Sequence, residues 1–412
     1  MLIQFNFKNH KTFLNENSLD MRSASIKEHE CNTFIGADKN KYLRSAAIYG
    51  ANGSGKSNVL DAFIFMQFCI QNSFDTQVMK DLEDTRFKFC NDGTKSAQSY
   101  EVFFSIDETE FQYGFTYENK RFIEEWLNKK SYVPVGQRYK NLFKRDKGHI
   151  NISNELSNLK GAMSLLNENS LVISLLSKFK FPDINNVVDW FNQVRVLDYG
   201  DLFYEMHVAN TLPLIDYGNE IEKNQFLDFL RAIDIGIDDI RVVKTTTENA
   251  SKPSYKFFTV RKNFDTGELV EMPFHAESSG TLKITSMYTD ITKALKNGYL
   301  IFIDELDAKL HPLLTKYIVS LFHNNETNIG NGQLIFTTHN TDILKKDVFR
   351  RDQIWFTNKD AHGVSELYSL IEFKDAKGKK IRNDASYDTD YLSGRFGAIP
   401  ELISLEFDNE KK

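Results

Sequence analysis

The alternation of hydrophobic and polar positions is the first pattern along the chain. Residues 1–22 alternate on either side of a turn near residues 8–11 and predict a β-hairpin. Alternation returns over residues 86–127, where turns at residues 91–94 and 107–108 separate apolar and aromatic runs. This pattern predicts an antiparallel sheet in the first third of the chain.

Helical spacing replaces this alternation between about residues 150 and 250. Apolar residues there recur three and four positions apart, as in 156–166, 187–196 and 221–233, and predict amphipathic helices. Beyond this region the predicted elements are strands around a turn at 263–267, a helix at 280–296, a strand at 299–303, a helix at 313–325 and a strand at 333–337. Such alternation is typical of parallel strands in a layered α/β core.

A glycine-rich motif lies between a short apolar run at 45–49 and an apolar helix at 57–74. The motif reads Gly50-Ala51-Asn52-Gly53-Ser54-Gly55-Lys56-Ser57 and fits the phosphate-loop pattern G-x-x-x-x-G-K-[ST] throughout. Glycines let backbone N–H groups surround a phosphate, the helix N-terminus adds positive potential, and Lys56 supplies a point charge. Ser57 is suited to hold Mg²⁺. A glycine turn with a chance lysine is the structural alternative, which these flanks disfavour, so the motif predicts binding of a nucleoside triphosphate.

Two carboxylates, Asp304 and Glu305, follow the apolar strand at 300–303. A strand buried on both faces explains the apolar run, and open α/β sheets bind ligands at the carboxyl ends of their strands. Asp304 is suited to the shell of Mg²⁺, and Glu305 is suited to polarise the attacking water. An ordinary strand end with exposed acids is the alternative, and the complete phosphate loop favours the catalytic interpretation.

A histidine, His339, follows the next apolar strand at 333–338. From that position it can reach a γ-phosphate or the attacking water, while a hydrogen-bonded histidine at a strand end is the alternative. The loop at 306–312 is expected near the phosphates. Asp307 within this loop is a candidate contact to a second subunit.

A third segment, Glu277–Lys283, begins the helix predicted at 280–296. Its two serines, Ser278 and Ser279, and its glycine, Gly280, can form an anion site at a helix N-terminus. Taken by itself, the segment fits an ordinary helix cap better.

Composition and charge narrow the class of protein. Of the 412 residues, 41% are hydrophobic and 26% are charged, which favours a packed core over global disorder. The net charge of −6 does not favour nucleic-acid binding by the protein as a whole, so any such binding would need a local basic patch. Residues 129–149 carry seven basic side chains against one acid, and this stretch is either a solvated hairpin face or a contact for phosphate or an acidic partner.

The cellular location is predicted from cysteines and apolar runs. Three cysteines without C-x-x-C spacing suggest free thiols in a reducing cytoplasm. The start of the chain alternates like a strand, and no window is apolar enough for a membrane span, so neither a signal peptide nor membrane contact is expected. The sequence therefore predicts a cytoplasmic protein.

These motifs occur in the order found in ABC-type ATPases, which the chain resembles over most of its length outside residues 150–250. The N-terminal Phe5–Phe13 is similar to the "NF(R/K)SF" opening of the head domains of the RecF, chromosome-maintenance and OLD group. The match is closer to bacterial anti-phage ATPases of the abortive-infection kind, such as RloA, AbiL and the PARIS ATPase subunit. Their "ESSGT", "FIDELD...LHP" and "TTHN" segments occur here, as does the C-terminal "YLSGRFGAIP" at Tyr391–Pro400.

The resemblance implies a fold, cofactors and partners. The fold is an α/β ABC-type P-loop ATPase head, with a layered parallel-core sheet, an antiparallel β subdomain and a mainly helical insertion. ATP and Mg²⁺ are the implied cofactors. Two ATP molecules lie between the subunits of a head-to-head dimer or a higher oligomer, and the phosphate loop of one subunit faces Ser278, Ser279 and Gly280 of the other.

Three departures from the family pattern qualify the resemblance. Ser278–Thr281 differs from the transporter signature LSGGQ and resembles the phage-defence variant. No glutamine fits the Q-loop, since Gln67 lies too early in the chain. The 73 residues after His339 are too few for the nuclease domain of OLD proteins. The single D-x-D motif, Asp388–Asp390, can in principle bind a metal but fits a solvated loop better, so any nuclease or toxin activity is expected in another polypeptide.

The sequence predicts an ATPase with three parts: residues 1–149 as the N-terminal half of the head, 150–250 as a helical insertion and 251–412 as the C-terminal half. The leading hypothesis is a sensor or regulatory subunit of a bacterial anti-phage system. DNA or a phage protein would trigger it, and ATP-dependent assembly would control a separate nuclease or toxin. A RecF-like DNA-repair or recombination ATPase is the second hypothesis. A scaffold that binds ATP structurally is the third, against which Asp304 and Glu305 argue, and a transporter ATPase fits least.

Overall fold

The structure is a computed structural model that describes most of the chain. The described residues are 1–75, 79, 82–134, 136–198, 212, 215, 219–233, 236–245, 254–374, 378–382 and 385–400. The strands within them are β1 (Leu2–Lys8), β2 (Asn17–Asp20), β3 (Thr33–Ile35), β4 (Lys41–Leu43), β5 (Ser45–Gly50), β6 (Gln98–Ile106), β7 (Thr109–Glu118), β8 (Arg121–Ser131), β9 (Lys140–Asp146), β10 (His149–Ile152), β11 (Arg195–Asp198), β12 (Asp239–Thr245), β13 (Ser254–Lys262), β14 (Leu269–Pro273), β15 (Leu300–Asp304), β16 (Gln333–Thr337), β17 (Ile354–Lys359) and β18 (Ser365–Ser369). The α-helices are α1 (Lys56–Asn72), α2 (Asn91–Lys95), α3 (Val172–Leu176), α4 (Pro182–Gln193), α5 (Glu220–Ile233), α6 (Ser279–Asn297), α7 (Pro312–His323) and α8 (Tyr387–Leu392).

A six-stranded sheet forms the central layer, with the strand order β11-β15-β16-β5-β17-β18. Neighbouring strands run parallel, apart from the antiparallel edge strand β18. β5, β15 and β16 are buried along their whole length, as expected for parallel strands that are covered on both faces. The strands predicted at 299–303 and 333–337 are confirmed.

Helix α1 lies between this sheet and a seven-stranded antiparallel sheet of order β10-β9-β8-β7-β6-β1-β2. The ring centroid of Phe63 in α1 lies 5.3 Å from that of Phe5 in β1 and 4.7 Å from that of Phe302 in β15. The helix is therefore a middle layer that needs apolar side chains on both sides, which explains the long apolar run after the phosphate loop. The predicted N-terminal hairpin is confirmed, since β1 pairs with β2 and places Phe5 opposite Leu19.

Helices α5, α6 and α7 contribute to the core on the other face of the central sheet. Successive residues of a strand point to opposite faces. Phe302 and Ile335 accordingly join the core around α1, whereas Ile301, Ile303 and Phe336 join the core around α5, α6 and α7. The helices predicted at residues 280–296 and 313–325 are confirmed as α6 and α7. Among the described residues, no helix is both long and apolar enough to cross a membrane.

Three local predictions are wrong. The turn predicted at 91–94 is the short helix α2, a single turn in which the Thr94 N–H donates to the Cys90 carbonyl at 3.3 Å. The run at 156–166 forms a 3-10 helix, Asn154–Leu165, instead of an amphipathic α-helix. The helix predicted at 187–196 ends earlier, at Gln193, which is the last residue of α4. The residues of β11 follow it and pair in parallel with β15.

The described residues of the predicted insertion at 150–250 include several that pack into the core around α1. Trp190 of α4 stacks on Phe104 of β6 with ring centroids 4.0 Å apart, and Phe191 lies 6.1 Å from Phe63. The segment is also not purely helical, because it contains β11 of the central sheet. The division of the chain into two head halves and an insertion stays a prediction, and the described part of the insertion cannot be removed without opening the core.

Candidate functional site

The carboxyl ends of three strands meet because β15, β16 and β5 are consecutive neighbours in the central sheet. Gly50 ends β5, Asp304 ends β15 and Thr337 ends β16. Open α/β sheets bind ligands at this edge. The fold thus brings together the phosphate loop, the paired carboxylates and the strand that precedes His339.

The glycines of the phosphate loop occupy positions that disfavour a side chain. A Cβ atom at Gly50 would lie 2.4 Å from Thr357 Oγ1. Gly53 and Gly55 have φ angles of +73° and +110°, which glycine adopts without strain. The Ser54 hydroxyl also bonds the Thr357 hydroxyl at 2.6 Å. Contacts with β17 therefore help to hold the loop in shape.

Lys56 begins α1 and is buried within the loop. Its ammonium group donates to the carbonyls of Gly50 at 3.0 Å and Ala51 at 3.1 Å. Burial lowers the pKa of Lys56, and the carboxylates at the end of β15 oppose that shift. Asn52 and Ser57, on either side in sequence, are exposed. A buried cation thus lies in a loop whose rim is open to solvent, which suits an anionic ligand.

Thr337 contacts both acidic residues at the end of β15. Its hydroxyl donates to Asp304 Oδ1 and accepts a bond from the Glu305 N–H at 2.8 Å. Its carbonyl accepts from the Leu306 N–H at 3.1 Å. Glu305 has a φ angle of +48°, which is uncommon for a residue with a side chain. These bonds hold the Asp304 side chain and keep Glu305 in a conformation that it would rarely adopt alone.

His339 and Asp307 lie at the same edge of the sheet. Each carboxylate oxygen of Asp307 is 3.3 Å from the backbone nitrogen of His339. Partial desolvation lowers the pKa of the His339 imidazole, the charge of Lys56 lowers it further, and the carboxylates of Asp307 and Glu305 oppose the shift. The combined effect of these groups on His339 favours the neutral imidazole. The contact predicted between Asp307 and a second subunit stays a prediction.

The serine segment caps α6. The Ser278 hydroxyl accepts from the Thr281 N–H at 3.1 Å, so Ser278 is the N-cap and Ser279 is the first helical residue. A Cβ atom at Gly280 would lie 3.2 Å from the Lys309 carbonyl, so the start of α6 adjoins the loop after β15. A capped helix start still presents a positive end, and the cap is compatible with the anion site that the resemblance implies.

Sequence reasoning did not find two residues of this site, Thr337 and Lys283. The Lys283 ammonium, in α6, donates to the carbonyls of Glu305 at 2.8 Å and Ala308 at 2.8 Å. Burial lowers the pKa of Lys283 to about 8. The sequence does contain a signal that Lys283 is buried. Met287 lies four positions later, so the two residues share one face of the helix, and that face is apolar and buried.

The donors available for Mg²⁺ are oxygens, which this ion prefers. The Ser57 hydroxyl and the Asp304 carboxylate supply them, and the bond from Thr337 orients the carboxylate. No group of three His, Cys, Asp or Glu side chains in the described part of the chain could hold a metal ion by itself. Magnesium held by Ser57 and Asp304 would complete its coordination with oxygens of water and of a phosphate ligand.

Two other candidates have structural roles. Gln67 of α1 donates to the carbonyls of Phe191 at 2.5 Å and Val194 at 3.1 Å, so it holds the end of α4 and does not suit the Q-loop role. The D-x-D motif lies on α8 and not in the solvated loop that its sequence suggested. Its Asp390 pairs with Arg395 at 2.9 Å.

The C-terminal segment Tyr391–Pro400 adjoins the strand that leads into the phosphate loop. The Tyr391 ring centroid lies 5.9 Å from that of Tyr49 and 5.5 Å from that of Phe356. The Tyr391 hydroxyl donates to the Ala398 carbonyl at 3.2 Å. This segment therefore supports β5 and β17, the two strands that shape the loop.

Comparison with known proteins adds a family to this geometry. Residues 45–345 match the family described as "AAA domain, putative AbiEii toxin, Type IV TA system". No curated protein matches the sequence. The structure is similar to an SMC head bound to the C-winged helix domain of ScpA, with 15% identity and a TM-score of 0.45 over 89% of this chain and 97% of that chain. It is also similar to CbiO1 from Clostridium perfringens, part of the ABC transporter complex CbiONQ, with 10% identity and a TM-score of 0.30 over 95% of this chain and 92% of that chain.

The predicted α/β fold class is confirmed: a parallel central sheet, an antiparallel β sheet and a phosphate loop between β5 and α1 are the parts expected of an ABC-type P-loop ATPase head. The family match covers most of the chain and includes the phosphate loop, both carboxylates and His339. The protein therefore belongs to this family of AAA-type ATPase domains.

Proposed function

We propose that this protein binds and hydrolyses ATP at a site that a second copy of the chain completes. The observation that carries the proposal is the position of Lys56, buried in its loop, beside the neighbouring strand ends where Thr337 bonds Asp304 and Glu305. A buried cation, one hydrogen-bonded carboxylate and a second acid on a fixed backbone form an arrangement that suits phosphoryl transfer to water.

Each residue in this proposal acts through its position and charge. Lys56 and the loop amides bind the β- and γ-phosphates. Ser57 and Asp304 hold Mg²⁺, which when bound neutralises charge on the phosphates. Glu305 orients and polarises the attacking water, and the neutral imidazole of His339 senses the γ-phosphate. Catalysis of this kind rests on positioning and electrostatics more than on covalent chemistry.

The second copy contributes Ser278, Ser279 and Gly280. The start of α6 adjoins the loop after β15, and this helix of 19 residues carries a positive N-terminal end. In a head-to-head dimer, that end would approach the γ-phosphate bound by the partner, and Asp307 would lie at the same interface. Two copies then share two equivalent sites.

The proposed biological role is that of a sensor or regulatory subunit in bacterial anti-phage defence. DNA or a phage protein triggers it, and ATP-dependent assembly controls a separate nuclease or toxin. The family description supports a link to such systems, since it names a toxin and a type IV TA system.

The ATPase proposal is tested with Glu305→Gln. The amide cannot polarise water as the carboxylate does, so we expect turnover to fall by about 100-fold or more while ATP binding and an ATP-dependent dimer persist. Steady-state phosphate release and sedimentation with and without ATP measure both quantities. Glu326→Gln at an exposed position is the matched control. Wild-type turnover in Glu305→Gln would refute the assignment.

The defence role needs a cellular test. We expect cells that carry the gene with its genomic neighbours to resist phage, and Lys56→Ala to abolish that resistance at equal protein level. Plaque counts measure the effect. Resistance that is independent of Lys56 would separate the ATPase from defence, and the absence of resistance in the wild type would refute the role.

A DNA-binding repair ATPase is the second candidate, and the basic stretch at 129–149 bears on it. Lys129 pairs with Glu155 at 2.5 Å and Asp183 at 2.8 Å, so its charge is used within the chain. Arg145 is buried and donates to the Ser170 carbonyl at 2.8 Å. Arg138, Lys140, Lys144 and Lys147 remain exposed. If this face binds DNA, we expect the affinity for DNA to fall steeply as the salt concentration rises. Replacing these four residues should then make the dependence of log affinity on log salt concentration less steep.

We also propose that the predicted insertion at 150–250 binds the effector, because it carries no nucleotide motif and lies outside the resemblance. Deleting residues 150–250 would remove Trp190 and Phe191 from the core, so single substitutions are preferable. Leu165 and Ile221 are large apolar residues of this segment that are 65% and 69% exposed. We expect Leu165→Glu and Ile221→Glu to weaken co-purification of the effector while ATP affinity is unchanged.

A further inference from the structure

A buried lysine connects the start of α6 to the turn that carries Glu305. Lys283 lies in the second turn of α6, four residues after Ser279, and its side chain is 1% exposed. Burying a charged group is costly unless hydrogen bonds satisfy it. The partners of Lys283 therefore indicate why the cation lies there.

Three backbone carbonyls surround the ammonium group. Lys283 Nζ lies 2.8 Å from the Glu305 oxygen, 2.8 Å from the Ala308 oxygen and 3.3 Å from the Leu306 oxygen. An ammonium group has three N–H donors, so the number of donors matches the number of carbonyls. The carbonyls of this turn are thus satisfied by a side chain from another element.

The turn held in this way has an unusual backbone. Glu305 and Lys309 both have positive φ angles, +48° and +60°. Such residues persist where their surroundings determine the conformation. Thr337 binds the amide of Glu305 from β16, and Lys283 binds its carbonyl from α6. Glu305 is consequently held on both sides of its backbone, by two different elements.

We propose that Lys283 is a positioning residue that couples the two ATP sites of the dimer. The inference rests on the proposed function, in which the start of α6 touches the nucleotide of the partner. ATP bound in the partner then fixes α6, and Lys283 transmits that position to Glu305 of its own site. Hydrolysis in one site depends on occupancy of the other, so turnover is cooperative in ATP.

The test compares Lys283→Met with Lys296→Met. Lys296 lies on the same helix, is exposed and donates to Gln225 at 3.1 Å, so its loss leaves the turn intact. We expect wild type and Lys296→Met to bind ATP, to dimerise with ATP and to show a Hill coefficient above 1 for turnover. Lys283→Met should keep ATP affinity and dimerisation, lose about tenfold to 100-fold in kcat and show a Hill coefficient of 1.

A purely structural role of Lys283 gives a different result. In that case Lys283→Met lowers the unfolding temperature, but kcat per folded molecule and the Hill coefficient match those of Lys296→Met, which overturns the inference. If Lys283→Met does not fold, Lys283→Arg retains the charge with a planar group that does not fit three converging carbonyls, and the same loss of kcat and cooperativity is expected. A wild type that stays monomeric in ATP refutes the proposed function instead.

Discussion

The two ends of the central parallel sheet use polar residues of different kinds. At the amino end, Ser45 and Gln333 begin β5 and β16, and Gln353 precedes β17. The Ser45 hydroxyl bonds His323 Nε2 at 2.8 Å and Gln353 Nε2 at 2.9 Å. Gln333 bonds the backbone of Leu2 through both its oxygen and its nitrogen. These side chains are buried, and the hydrogen bonds that join them connect several elements of the fold.

The carboxyl end instead carries charges in a strained backbone. Lys56 and Asp304 are buried there, and Glu305 has a positive φ angle. Ser57 and His339 at the same end are exposed. Buried polar groups that hold a fold together need their hydrogen bonds satisfied, whereas groups for chemistry also need access to the ligand. Substitutions at the two ends should therefore separate stability from activity.

The largest effect is expected for Lys56→Ala at the carboxyl end. Removing the ammonium group should abolish detectable ATP binding and reduce turnover by about 100-fold or more. The free energy of unfolding without ATP should change by less than about 1 kcal/mol, because the cost of burying the charge also disappears. Calorimetric titration with ATP and urea unfolding measure the two effects. Lys346→Ala, at an exposed position, is the control.

The opposite result is expected for Gln333→Ala at the amino end. The substitution leaves the Leu2 and Leu43 carbonyls and the Leu2 N–H without their partner, at a cost of about 2–4 kcal/mol in unfolding free energy. Turnover per folded molecule should stay at the wild-type value. A loss of turnover in the folded fraction would contradict the separation of the two ends. Gln225→Ala, on an exposed helix face, serves as the control.

A smaller effect on activity is expected for Thr337→Val. The shape is kept while the hydroxyl that joins Asp304 and Glu305 is lost, so kcat should fall about tenfold with little change in ATP affinity. Stability should fall by about 1–2 kcal/mol. Thr315→Val is the matched control, because the buried Thr315 Oγ1 has no hydrogen-bond partner among the described residues. An equal kcat for both variants would remove Thr337 from the site.

The smallest effect is expected in the pH dependence of the free energy of unfolding, through His323 at the amino end of the sheet. Burial lowers the pKa of His323 from 6.5 to about 3. Below pH 6.5 the unfolded chain binds a proton that the folded chain does not, so stability falls as pH decreases from 6.5 towards 3. From about pH 7 to about pH 5.5 the loss should be about 1 kcal/mol. Urea unfolding across this range should show a flatter pH dependence for His323→Gln than for the wild type.

The sequence predicts those parts of the fold and site that are local. The phosphate loop is one contiguous motif, and Asp304 and His339 each follow a buried strand that is recognisable by its apolar run. The two core helices, α6 and α7, have continuous periodicity and clear start signals, such as Ser278 before α6 and Pro312 at the first position of α7. These predictions needed no knowledge of which elements are neighbours.

Other features depend on contacts between distant parts of the chain. The residues of β11 become a strand because they pair with β15, about one hundred positions later. The charge of Lys129 is used within the chain because Glu155 and Asp183 fold next to it. Thr337 and Lys283 gain their roles from the adjacency of β16 and α6 to the Glu305 turn. Sequence spacing does not reveal such neighbours, since the same residues fit an ordinary strand end and an ordinary helix.

The central claim, a site shared between two copies, is tested most directly by mixing two inactive variants. Lys56→Ala disables the phosphate loop, and Ser279→Arg disables the start of α6. In a mixed dimer, one site combines the intact loop of one chain with the intact α6 of the other. We expect the mixture to regain ATPase activity that neither variant shows alone. About one quarter of the wild-type rate is the upper bound for independent sites, since half the dimers are mixed and each has one intact site, and the coupling inferred for Lys283 lowers the rate below that bound. A mixture no more active than the two variants measured separately would contradict the shared site.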